Sequence, residues 1–222
     1  MIRRTMIKGH YAGIGSRSTP GNVCDVMTKI AWKLSDKGWV LRSGGARGAD
    51  DAFYRGCVYS EQWACPPAVT PPKPEIYMPT TETSTIGAGM YGYIPVFVEE
   101  NLEMIHRAWK ICAFDLALTA FRGCKFKGIE GLTFSQKCHI RNVFQVMGLD
   151  LDTLVKGLIC YAPWQVTGQT NSVIGGTNTA YRIAKLMIPS DKIYNLYDFD
   201  TFIHFMKYVK DYRNEQENQK GD

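Results

Sequence analysis

Apolar positions along the chain follow two periods in turn, and that alternation predicts most of its elements. Residues 10–14 form a short β-prone run. Val23, Met27, Ile30, Ala31 and Leu34 then recur at helical spacing. Thr19 is the expected N-cap, Pro20 the first helical residue, and Gly38 the stop. A second apolar run over 39–43 leads to a helix from Ala49 to about Tyr59, with Ala52, Phe53, Gly56 and Cys57 on one face. Residues 75–78 read as a third strand. Leu102, Ile105, Trp109, Cys112 and Leu116 mark a helix from Glu100 to about Phe121, and another runs from about Thr133 to Met147, ending at Gly148. Residues 154–160 are a strongly apolar fourth strand, followed by a polar loop over 165–172. Ala180, Ile183, Ala184 and Met187 give one more helix. A fifth strand spans 192–196, and Asp198 caps a last helix that buries Phe199, Phe202, Ile203, Met206 and Val209.

Strands separated by helices require crossover connections. The expected class is α/β: a Rossmann-like three-layer fold with a mainly parallel sheet, in the order 3-2-1-4-5. The 222 residues suit one domain, 1–212, with a polar, frayed tail over 213–222. Six of the ten prolines lie between Pro66 and Pro79, which predicts a stiff surface loop. Residues 80–93 are polar and glycine-bearing, and read either as a lid or as a plain connection.

Three glycine-bearing turns follow strands and precede helices. They are Gly13 to Arg17, Ser43 to Asp50, and Gly175 to Thr179. Each is either a tight packing turn or a place where backbone N–H groups meet an anion at a helix N-terminus. In the expected strand order all three line one crevice beyond the carboxyl ends of the strands. There the N–H groups of Gly15, Ser16, Gly45, Ala46 and Gly176 would hold phosphate oxygens, and Ser16, Ser43, Thr177 and Thr179 would add hydroxyls. Arg17 and Arg47 would pair with phosphate or form surface ion pairs. Asp50 would accept from ribose hydroxyls or satisfy its own helix. The ligand-binding candidates are therefore Gly13, Gly15, Ser16, Arg17, Ser43, Gly44, Gly45, Ala46, Arg47, Gly48, Asp50, Gly175, Gly176, Thr177, Asn178 and Thr179. Arg141 and Asn142 would face a ligand or water, and the loop 122–128 is basic.

Composition narrows this only slightly. A net charge of +5 is compatible with nucleotide or nucleic-acid ligands without demanding them. Seven cysteines without a CxxC pair speak against a disulfide framework and a zinc site. The four histidines share no ligand spacing, so no metal or cofactor is expected. No long apolar run predicts a membrane span, and the N-terminus lacks the apolar core of a signal peptide, so a cytoplasmic protein is expected.

The same residues resemble a known family. Gly13-Ile14-Gly15-Ser16-Arg17, the run Ser43-Gly44-Gly45-Ala46-Arg47-Gly48-Ala49-Asp50, and Gly175-Gly176-Thr177 with Arg182-Ile183-Ala184 are similar to the SLOG superfamily of Rossmann-like proteins. That group includes DprA and the LONELY GUY phosphoribohydrolases. The likeness is greatest to DprA-like nucleotide-binding proteins often found in bacteriophages, and residues 139–146 of this chain also resemble a helix typical of those members. The resemblance implies a nucleotide ligand and a homodimer. Where LONELY GUY enzymes carry the catalytic Glu of PGGxGTxxE, this chain has Arg182, so glycosidic cleavage lacks its usual carboxylate. Three functions follow as expectations: binding of a nucleotide or nucleotide-derived molecule; DprA-like binding of single-stranded DNA; or an N-glycosidase using Asp50 or Asp51.

Overall fold

The structure, a computed structural model, describes residues 3–4, 6–63, 69–70, 72–80, 91–167 and 170–219. In chain order the elements are β1 (Arg3–Arg4), β2 (Gly9–Gly15), α1 (Gly21–Asp36), β3 (Trp39–Ser43), α2 (Ala49–Trp63), β4 (Val69–Thr70), β5 (Glu75–Met78) and β6 (Tyr93–Pro95). Then come α3 (Leu102–Lys110), α4 (Phe134–Met147), β7 (Leu158–Tyr161), β8 (Trp164–Thr167), β9 (Thr170–Val173), α5 (Thr177–Met187), β10 (Ile193–Asn195) and α6 (Phe199–Gln219).

Six strands make one parallel sheet in the order β10-β7-β2-β3-β5-β6. This is the expected 3-2-1-4-5 order with β6 added beyond the third strand. The fold is α/β, a Rossmann-like three-layer arrangement. Tyr11 to Ile14 are all buried, as a central parallel strand covered on both faces must be. One core joins the sheet to α1, α2 and α6 through Tyr11, Met27, Ile30, Leu41, Phe53 and Phe205. The other joins it to α3, α4 and α5 through Tyr77, Ile105, Ile140, Phe144, Leu158 and Ile183. α1 and α2 approach closely at Gly56, where a Cβ would stand 2.1 Å from the Thr28 carbonyl oxygen.

Several boundaries differ from expectation for identifiable reasons. Pro20, not Thr19, is the N-cap of α1, because the Thr19 hydroxyl donates instead to the Ser16 carbonyl at 2.7 Å. The helix expected to reach Phe121 leaves its α-helical course at Ile111 in a π turn and ends by Leu116. Ala117 takes φ 46°, and the chain doubles back so that both Leu116 and Phe121 are buried. Only the end of the run 154–160 is strand. Residues 165–172, expected as a loop, are mostly the antiparallel pair β8–β9. α6 continues to Gln219, past the expected start of the frayed tail. Val69 and Thr70, inside the proline-rich stretch, pair with β1. Most of the lid-or-connection segment, 81–90, lies outside the described residues, as do Cys65, Pro66, Pro67 and Pro71. Among the described residues no helix is long and apolar enough to cross a membrane.

α4 shows the most complete local specification. Thr133 and Gln136 form a capping box, each side chain accepting from the other's backbone N–H, and Gly148 ends the helix at φ 78°. On the same side of the sheet, Arg42 of β3 is buried and its Nε donates to Glu75 of β5 at 2.5 Å. Arg42 Nη1 donates to the Thr153 carbonyl. Burial alone would raise the Glu75 pKa. Hydrogen bonds with His10 and Tyr77 and the Arg42 guanidinium prevail and hold it at about 2.

Because the folded-state value lies below the ordinary 4.5, Glu75 stabilises the protein above that pH and the contribution fades as pH falls toward 2. Glu75→Gln is expected to cost about 1–2 kcal/mol at pH 7 once solvent screening of this partly exposed group is counted. It should also flatten the loss of stability between pH 5 and 2. Urea unfolding across that range checks both, and an unchanged acid slope would refute the assignment.

Candidate functional site

β2 lies between β3 and β7, so chain direction across the sheet reverses at the carboxyl end of β2. A cavity of about 400 Å³ lies just outside that point. Gly15, Ser16, Arg17 and Ser18 line it from the first turn, Ala46 and Asp50 from the second, and Gly175, Gly176 and Thr177 from the third. All three turns therefore meet at one hollow, with α4 closing the remaining side.

Asp50 joins the first two turns. It is 2% exposed, yet its carboxylate oxygens accept from the Gly15 N–H at 3.2 Å and the Ala46 N–H at 3.3 Å. Gly48, at φ 82°, permits the contact between these turns: a Cβ there would lie 2.5 Å from the Ser16 carbonyl oxygen. Burial pushes the Asp50 carboxyl above its ordinary value. The Arg141 guanidinium and the N–H groups of Ala46, Gly15 and Gly44 oppose that rise.

α4 joins the second and third turns. Arg141 donates through Nη1 to the Gly44 carbonyl at 3.1 Å, and through Nη2 and Nε to Asn142 Oδ1 at 2.9 and 3.2 Å. Asn142 Nδ2 in turn donates to the Gly176 carbonyl at 2.6 Å. One turn further along, Gln145 is 1% exposed and its Nε2 has no hydrogen-bond partner among the described residues. Cys138, Arg141, Asn142 and Gln145 all line the cavity. Their spacing of three and four residues places them on one face of the helix.

This geometry corrects several expected roles. Three of the N–H groups assigned to phosphate are already used inside the protein. Those of Gly15 and Ala46 bind Asp50, and that of Ser16 donates to the Tyr161 carbonyl at 2.9 Å. Asp50 therefore holds loops together rather than being free for a ribose. The Ser43 hydroxyl donates to the Gly13 carbonyl at 2.7 Å, and that of Thr179 meets His139 Nδ1 at 2.7 Å. Gly13, Ser43, Gly44, Gly45, Arg47, Gly48, Asn178 and Thr179 do not line the cavity. Gly45 packs toward Ile76 and Met78 of β5, and Arg47 is exposed. Asp51 pairs with Arg55 at 3.1 Å on the helix surface.

The residues that sequence reasoning left without a role are Cys138 and Gln145. The available signal was a polar stripe within an otherwise buried helix. The surroundings are electropositive. Burial, then Arg141, lowers the His139 pKa, and Arg141 and Arg17 oppose the burial that raises Cys138. An amide donor unpaired among the described residues and two guanidinium groups can receive an acceptor-rich anion, whereas the Ser16 hydroxyl is engaged with Ser18, meeting its Oγ at 2.8 Å and accepting from its N–H at 3.1 Å. Among the described residues no three His, Cys, Asp or Glu side chains cluster closely enough to hold a metal.

Asp50→Ala would leave the Gly15 and Ala46 N–H groups without their acceptor and remove the Arg141 counter-charge. It is expected to cost about 2–4 kcal/mol in chemical unfolding. Stability equal to that of the unsubstituted protein would show that the carboxylate does not hold the two turns.

No family model matches the chain, and no curated protein matches it. A solved structure similar to it is that of DNA processing protein A from Helicobacter pylori, which binds single-stranded DNA. The two are 14% identical, with 92% of this chain and 82% of that one covered, at a TM-score of 0.35.

Proposed function

We propose that the protein binds a nucleotide or nucleotide-derived small molecule in the cavity at the carboxyl ends of β2, β3 and β7. The observation that carries this reading is Gln145. A buried amide donor with no partner among the described residues is costly, and here its residue lines the hollow beside Arg141 and Arg17. A phosphate oxygen or a base carbonyl would complete it. The size of the hollow suits a ligand of nucleotide dimensions, and the resemblance of its three turns to SLOG proteins supports the same class. Arg17, Ser16, Gly175, Gly176 and Thr177 are the ligand-facing residues of this reading, with Arg141 and Gln145 added.

Binding without cleavage is favoured by the state of the carboxylates. Both oxygens of Asp50 accept backbone N–H groups, and Asp51 faces Arg55. Neither is placed to move a proton at a glycosidic bond.

A thermal-shift series with nucleoside monophosphates, diphosphates, cyclic nucleotides and ADP-ribose tests the proposal, because a ligand held only by the native state raises its melting temperature. At least one compound is expected to do so. Gln145→Leu should weaken that compound about tenfold while leaving the unliganded protein as stable or more so, since it removes an unpaired buried amide. No shift with any compound would overturn the reading. So would salt-sensitive binding of single-stranded DNA that none of the small molecules displaces.

A further inference from the structure

A second cavity, of about 460 Å³, opens at the opposite end of the same strands. It shares no residue with the first. Tyr11 of β2, Ile159 of β7 and Tyr194 of β10 form its floor, Trp39 at the start of β3 one wall, and Phe205 and Tyr208 of α6 its cover.

The aromatic walls are held by one another. The Phe205 ring meets that of Tyr194 edge-on at 5.3 Å between centroids and that of Tyr208 at 6.1 Å. Behind Tyr208, Lys33 Nζ sits 3.6 Å from the ring centroid and donates to the Tyr208 carbonyl at 2.7 Å. The space is therefore built into the packing between α6 and the sheet. Its volume falls within the range of about 300–1,000 Å³ usual for small-molecule sites.

The lining side chains that carry charge are the ammonium groups of Lys156 and Lys192. Lys156, Lys192 and His204 line it, and among the described lining residues there is no carboxylate. Lys156 is steadied by donating to the Lys8 carbonyl at 2.8 Å, and Lys192 by Asp191 at 2.9 Å outside the cavity. Aromatic walls with ammonium groups among the lining residues select a flat ring that carries a negative group.

We propose that this cavity is a second binding site, for small aromatic carboxylates. The ring lies among Tyr11, Trp39, Tyr194 and Phe205, and the carboxylate meets Lys156 and Lys192. Isothermal titration of the full chain with indole-3-acetate, indole and tryptamine tests it. Indole-3-acetate is expected to bind saturably and at least about tenfold more tightly than tryptamine, whose charge is reversed. The exposed double variant Lys156→Glu/Lys192→Glu should lose about tenfold in indole-3-acetate affinity with its melting temperature little changed. Leu34→Trp, which fills the cavity from α1, should abolish binding, and Gln145→Leu at the other cavity should leave it intact. Absence of saturable binding, equal affinity for tryptamine, or affinity unaffected by the double lysine variant would each overturn the assignment.

Discussion

The site depends on one buried charge. The Asp50 carboxylate is almost entirely buried, and such burial is unfavourable unless the charge is answered. The answer comes from the backbone N–H groups of Gly15 and Ala46, which belong to two different turns, and from the field of Arg141. The acid can be buried only when those turns are brought together. Closing them shapes one wall of the cavity and spends N–H groups that a glycine-rich turn would otherwise offer to an anion. In the proposed reading the anion-receiving groups are then side chains, on α4 and at Arg17.

α4 carries the complementary tie. Its capping box sets the start of the helix. Its apolar face is locked by Ile140, Val143 and Phe144, so the polar stripe of Cys138, Arg141, Asn142 and Gln145 has no freedom to turn away from the turns it faces. Arg141 reaches the second turn and Asn142 the third. Gln145 is the member of that stripe whose donor is unmet among the described residues, and in the proposed reading it gives the cavity its chemical preference. The same strands end at their other edge in an aromatic, lysine-bearing hollow of quite different character.

Strand order was readable from the sequence because the apolar runs are short, well separated and joined by helices with clear stops at Gly38 and Gly148. Convergence of the three turns followed from that order. Residue roles within the turns were harder to read, because a glycine-rich turn looks the same whether its N–H groups point at a ligand or at a neighbouring carboxylate. Asp50 decides between these, and its partner Gly15 is distant in sequence. Gln145 was hidden for a related reason: a polar residue in a helix reads as solvent-facing until tertiary packing covers it. The π turn at Ile111 and the hairpin at Trp164 were likewise set by what must be buried nearby, in particular Phe121 and Val173.

A crystal structure of the protein soaked with the nucleotide that most raises its melting temperature tests the central claim most directly. Phosphoryl density between Arg17 and Arg141, with an acceptor oxygen or carbonyl within hydrogen-bond distance of Gln145 Nε2 and the Asp50 contacts to Gly15 and Ala46 intact, is the expected result. An ordered nucleotide bound elsewhere, or one that enters only by displacing the Asp50 carboxylate from those two N–H groups, would contradict it.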